Sequence, residues 1–224
     1  MSSTLSCALF VGAVLLGAAL ERSLAPAVWL LSFWHYYLYW LAVAFGTPSF
    51  DAFKRDAVAM KTVSVAALAA VYLAQPLDVV SLAVIAGGIL LNLRAASVLG
   101  LDRTYYGHEV GGLPPEKITA FPYSLIAHPM IVGNVAAFGS TLLNPDFARQ
   151  WGPLAALHVA LNIGLLAMEL LGRGPVVRIG GALVFAGLLA AAITLVNALL
   201  GAAAVACALI LYRCYAQETA RRAS

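Results

Sequence analysis

Apolar stretches follow one another along nearly the whole chain, separated by short polar breaks, and only one long interval is polar and rich in glycine and proline. Stretches of about 17 to 25 apolar residues are the length that crosses a bilayer as a helix. Eight are predicted: 4–20, 27–46, 59–74, 79–99, 122–143, 153–172, 178–197 and 199–215. The last two are joined only by Asn197 to Gly201, which predicts a tight hairpin. The apolar run from Leu5 to Leu20 has small residues near its end, as a secretory signal does, but no Lys or Arg precedes it, so it is read as the first transmembrane helix. The expected fold is all-α: a polytopic integral membrane protein with about eight transmembrane helices. It forms a single membrane domain over 1–224, with its core motifs at 86–172 and a C-terminal helical hairpin at 176–215.

Composition agrees. Of the 224 residues, 62% are hydrophobic and 10% charged, and the mean hydropathy is +0.91, far from the balance of a soluble globular domain. The formal charge of +3 comes from scattered side chains, not a basic run, and gives no support to a nucleic-acid partner. Cys7, Cys207 and Cys214 lie in or beside apolar segments without metal-ligand spacing, and are read as packing residues. Ala-rich patches in the last hairpin suit close helix packing. The aromatic group Trp29, Phe33, Trp34, Tyr36, Tyr37, Tyr39 and Trp40 fits an interfacial belt, with some members lining an interior cleft.

Charge also orients the chain. With alternating spans, one side receives Lys54, Arg55, Lys61, Arg103, Lys117, Arg173, Arg178, Arg213, Arg221 and Arg222, and the other Arg22 and Arg149. Cytoplasmic loops carry the excess of Lys and Arg. Both termini and the polar interval from Gly100 to Gly133 are therefore expected on the cytosolic side, open to a soluble cofactor. Irregular backbone at membrane depth is tolerated only where it lines a cavity or meets water, so this interval is the expected roof of an active site.

Few polar groups fall inside the apolar segments, where a charge costs roughly 2.5–3.5 kcal/mol at the centre on insertion scales. His158, Asn162 and Glu169 share one helical face. For His158 and Asn162 an interhelical hydrogen-bond stripe is the favoured reading, and for Glu169 a functional role. Arg94, with Asn92 nearby, is a possible ion-pair partner for Glu169. His128-Pro129-Met130 predicts a helix that begins at Pro129, since proline suits the first helical position, and runs to Leu143. At about 15 residues and about 22 Å it is too short to span. Its N-terminus, with unpaired N–H groups and a positive dipole end, could hold a carboxylate, and Gly133 would allow a close approach. A kinked transmembrane helix without a ligand would leave the same sequence.

These residues resemble the membrane-bound phospholipid N-methyltransferases of the phosphatidylethanolamine methyltransferase type, and more distantly the isoprenylcysteine carboxyl methyltransferases. The resemblance rests on Tyr105, Tyr106 and Gly107; Phe121, Pro122 and Tyr123; His128, Pro129, Met130 and Gly133; and Glu169. It covers about 70 residues and reaches more faintly back to the WHYYLYWLAVAFG stretch. Three positions depart from the family pattern. Ala86-Gly87-Gly88 stands for a GxG, so only Gly88 carries over; Ile131 stands for a tyrosine; and Glu169 is followed by Leu170 where a second acid is common.

The resemblance implies S-adenosylmethionine as methyl donor and phosphatidylethanolamine as the membrane lipid acceptor, methylated toward phosphatidylcholine. It implies that Gly88, Tyr106, Gly107, His128, Pro129, Met130, Gly133 and Glu169 bind the cofactor. An ethanolamine ammonium must lose a proton before it attacks, so a base is wanted; His108 and Glu109 are the candidates, with His35 behind them. A methyltransferase acting on a prenylated cysteine carboxylate or a thiol is the alternative, for which a cation such as Arg94 or Arg103 would be needed near the site. From another class, a transporter or scaffold would show broken helices in matching halves, whereas the irregularity here is concentrated in one interval.

Overall fold

The computed structural model describes residues 3–47, 49–195 and 198–223. It is helical, with no strand among the described residues: α1 Ser3–Glu21, α2 Ala25–Phe45, α3 Phe50–Leu73, α4 Val79–Leu99, a single turn α5 Leu101–Thr104, α6 Pro129–Ser140 continued by a 3-10 turn Thr141–Leu143, α7 Pro145–Leu171, α8 Pro175–Leu195 and α9 Ala198–Ala223. The expected link at Asn197 lies outside the described residues. Among the described residues, five helices are long and apolar enough to cross a membrane: α1 to α4 and α7. Pro129–Leu143, Pro175–Ala191 and Gly201–Gln217 are shorter apolar helices. The expected eight spans are thus five by this measure. For the fifth predicted segment the reason is that its helix starts only at Pro129, seven residues into the apolar run.

Two other boundaries move for local reasons. The third segment, expected from 59, begins at Phe50 because its first turns carry Asp51, Lys54, Arg55 and Asp56, which an apolar count skips. The sixth, expected from 153, begins at Pro145. There Asn144 Oδ1 accepts hydrogen bonds from the amides of Asp146 (3.1 Å) and Phe147 (3.3 Å), a side-chain cap ahead of proline at the first helical position. Pro153 then lies inside the helix.

The chain divides into two compact units. In the first, residues 1–68 and 171–224, α2 is the core helix, buried almost from end to end. A helix apolar on all sides needs neighbours all round, and α1, α8 and α9 supply them. The aromatic residues from Phe33 to Trp40 are accordingly buried in packing: Trp34 stacks on Phe10 at 3.6 Å, the Tyr37 hydroxyl donates to Ala208 O at 2.8 Å, and Trp40 Nε1 donates to Val177 O at 2.8 Å. Gly181 leaves room for the Trp40 ring, which a Cβ at that position would strike. The C-terminal hairpin of α8 and α9 packs on α1 and α2.

The second unit, residues 69–170, holds α4 to α7 and the polar interval. Asp78 caps α4, accepting from the Ser81 amide at 2.6 Å. Tyr72 donates to Ser81 Oγ at 2.8 Å, and Ser81 Oγ in turn donates to Ser140 O at 2.7 Å. This buried relay ties the end of α3 to α4 and α4 to the end of α6.

Candidate active site

The site begins with a close crossing of two helices. Gly88 on α4 and Gly133 on α6 face each other: a Cβ on Gly88 would lie 2.5 Å from Gly133 O, and one on Gly133 would lie 2.6 Å from Gly88 O. Each glycine is filled by the opposite backbone, so their contribution is to draw α4 and α6 together.

One turn along α4, Asn92 Nδ2 donates to Met130 O (3.0 Å) and Asn134 Oδ1 (2.8 Å). Asn134 Nδ2 donates to Asn162 Oδ1 (2.9 Å), and Asn162 Nδ2 donates to His158 O (2.9 Å). The interhelical stripe expected at Asn162 is present, extended by two asparagines from other helices. Asn134 was not singled out in the sequence, although its position on the turn after Pro129 was a usable signal. His158 is buried and stacks on Phe138 at 4.4 Å.

α6 begins where expected. His128 precedes it without a side-chain cap, and Pro129 takes the first helical position. The amides of Met130 and Ile131 then have no carbonyl one turn back within the helix, while Val132 N already donates to His128 O at 3.1 Å. His128 turns instead to α7: its Nδ1 lies 3.2 Å from Glu169 Oε2. Both side chains are half-buried, 37% and 28% exposed, so the pair is shielded yet reachable. The suggested Arg94 partner does not engage Glu169; among the described residues the ion-pair partner of Glu169 is His128, and Arg94 is exposed.

The polar interval folds over this pair. Gly100 (φ 81°) ends α4 in a conformation that favours glycine. Tyr106, buried, is held at φ 62°, a left-handed position that costs a side-chain-bearing residue about 1–2 kcal/mol. Gly107 follows with its amide donating to Asp102 O at 2.9 Å, and a Cβ there would lie 2.6 Å from that same oxygen. Gly107 therefore makes the turn that presents His108 and Glu109, both exposed. His108 Nδ1 lies 2.9 Å from Leu113 O. A carbonyl only accepts, so Nδ1 carries a proton, and in the neutral imidazole Nε2 is then the nitrogen with the lone pair. Arg103 straps the loop, donating to Pro114 O (2.9 Å) and pairing with Glu116 (2.9 Å).

Glu109 and Tyr123 both interact electrostatically with Glu169. Burial pushes the Tyr123 phenol above its ordinary 10, and the charge of Glu169 pushes it further the same way; burial also raises Tyr105. The structure thus gathers His128, Glu169, Glu109 and Tyr123 around the start of α6. His35 belongs to the other unit, buried against Tyr36 (3.9 Å between ring centres).

The arrangement offers a carboxylate that can bind an amine, backbone donors that can bind an anion, and an exposed imidazole with a lone pair. Residues 77–169 match the phospholipid methyltransferase family. A fission yeast (Schizosaccharomyces pombe) protein, phosphatidyl-N-methylethanolamine N-methyltransferase, is 34% identical over 76 residues. That alignment covers 34% of this chain and 36% of the relative, so the chain spans about a third of that relative's length. No solved structure matches. The glycine crossing, the polar loop and the His128–Glu169 pair all fall within residues 77–169, the segment of this integral membrane protein that matches the phospholipid methyltransferase family.

Proposed function

We propose that the chain transfers methyl groups from S-adenosylmethionine to the amine of phosphatidylethanolamine and its methylated derivatives, toward phosphatidylcholine. The observation that carries this reading is the half-buried His128–Glu169 pair at the start of a short helix, inside the segment that matches the family.

The residues present fit the cofactor. Its methionyl end carries one carboxylate and one ammonium, and the site has unpaired α6 amides at Met130 and Ile131 for the first and the Glu169 carboxylate for the second. His128, Pro129 and Met130 form that helix start, Gly88 and Gly133 hold it against α4, and Tyr106 and Gly107 shape the loop above. When bound, S-adenosylmethionine supplies an electrophilic methyl group on a sulfonium.

The chain's own tasks are positioning, exclusion of water and removal of one proton. An ethanolamine headgroup arrives as an ammonium, and His108 Nε2 accepts its proton, directly or through water. The orientation we infer puts the loop on the cytosolic face, where the basic residues concentrate.

Purified protein in sealed vesicles of phosphatidylethanolamine, given labelled S-adenosylmethionine and a prenylcysteine acceptor in parallel, tests the reading. Label is expected in mono-, di- or trimethylated ethanolamine lipid, with cofactor supplied on the loop-bearing side. Label in the prenylcysteine alone would overturn the acceptor, and absence of cofactor binding would overturn the activity.

A further inference from the structure

We propose that Asn92, Asn134 and Asn162 are positioning residues: a directional chain of amides that sets the separation of His128 and Glu169. The chain's polarity is fixed at both ends by carbonyls, which only accept. At one end His158 O requires Asn162 to present its NH2 group, leaving Oδ1 toward α6. Asn134 must then offer its own NH2 to Asn162 and its Oδ1 to α4, and Asn92 meets that oxygen with one N–H while the other takes Met130 O. No amide can be flipped without setting two acceptors or two donors face to face.

The two ends of this chain sit where the pair needs them. Met130 is two residues after His128, so the bond from Asn92 holds the first turn of α6. Asn162 is buried and precedes Glu169 by seven residues, two turns on the same face of α7. A 3.2 Å contact between two helices tolerates little sliding. The glycine crossing fixes how closely α4 and α6 approach but not the height of α7, and the bond from Asn134 to Asn162 supplies that register. The inference deepens the methyltransferase reading only in that the pair it sets is the site assigned there.

The test keeps the two separable. Histidine-labelled full-length protein in bilayers gives nitrogen NMR signals from four histidines, and His128 is assigned by its loss in His128→Ala. Glu169→Gln defines the shift of Nδ1 when the carboxylate is removed. Asn134→Leu is expected to move Nδ1 in that same direction and to weaken binding of S-adenosylhomocysteine about tenfold, while adding less than about threefold in a Glu169→Gln background. An unmoved His128 signal in folded Asn134→Leu, or losses that multiply in the double variant, would overturn the proposal. Should Asn134→Leu not fold, Asn92→Ala, which removes only the two bonds to α6, is read by the same signals. If wild-type protein binds no S-adenosylhomocysteine, the cofactor reading fails while the NMR comparison still decides the positioning role.

Discussion

At the residue scale, the loop imidazole has the clearest assigned task. His108 is exposed and held through Nδ1, which leaves Nε2 as the nitrogen able to accept a proton from the neutral ring. General-base groups typically contribute 10²- to 10⁴-fold. His108→Ala is therefore expected to lower turnover at least about a hundredfold at neutral pH while leaving cofactor affinity unchanged, and raising the pH should recover part of the loss as the lipid amine deprotonates unaided. Turnover across pH in the same vesicles checks this; an unchanged profile would remove His108 from the mechanism. Tyr123 makes a separate statement about the pair beneath it. Its phenol is raised by burial and by Glu169, so the folded protein retains a proton that the unfolded chain releases near pH 10. Stability from this group is complete below the unfolded value and is lost as pH climbs through the folded one. Melting temperatures above pH 10 should fall less steeply in Tyr123→Phe than in the parent.

Among the elements, α4 and α6 form the frame, and adjacent glycines on α4 separate frame from filler. Gly88 meets the α6 backbone at distances no Cβ can share, whereas a Cβ on Gly87 would meet nothing within 4 Å. Gly88→Ala should cost about 1–3 kcal/mol, the range for overpacking, and Gly87→Ala should be neutral or stabilising by up to about 1 kcal/mol. Reversible unfolding in mixed micelles distinguishes them; equal effects would contradict the packing described. The start of α6 was legible in the sequence because proline has few physical uses, whereas Gly88 was singled out there for the cofactor and is filled by the α6 backbone. The start of α7 was partly legible, since Asn144-Pro145 is a capping signal, but the apolar count favoured the inner Pro153. The aromatic residues of α2 were misread for a different reason: apolar rings suit a lipid interface and a protein core equally, and only the presence of α1, α8 and α9 decides. The His128–Glu169 contact joins residues 41 apart. Sequence could name both members, but not exclude Arg94, whose charge was as good a match.

For the whole molecule, the candidate site lies within residues 77–169, the segment that matches the family. The other unit is built around α2 and contributes hydrophobic bulk: apolar helices with aromatic packing and ring-to-carbonyl hydrogen bonds. This division accounts for why the polar, glycine- and proline-rich interval is confined to one unit. The central claim is that the half-buried carboxylate of Glu169 on α7, paired with His128 ahead of α6, serves methyl transfer to an ethanolamine lipid. It is tested most directly by following labelled methyl groups from S-adenosylmethionine into phosphatidylethanolamine with wild-type protein and Glu169→Gln side by side, each shown to be folded. A charge-assisted hydrogen bond contributes about 1.5–3 kcal/mol, so the account predicts methylated lipid from the wild type and a roughly 10- to 100-fold weaker apparent cofactor affinity in the variant. Equal affinity and equal label in the two proteins would contradict it.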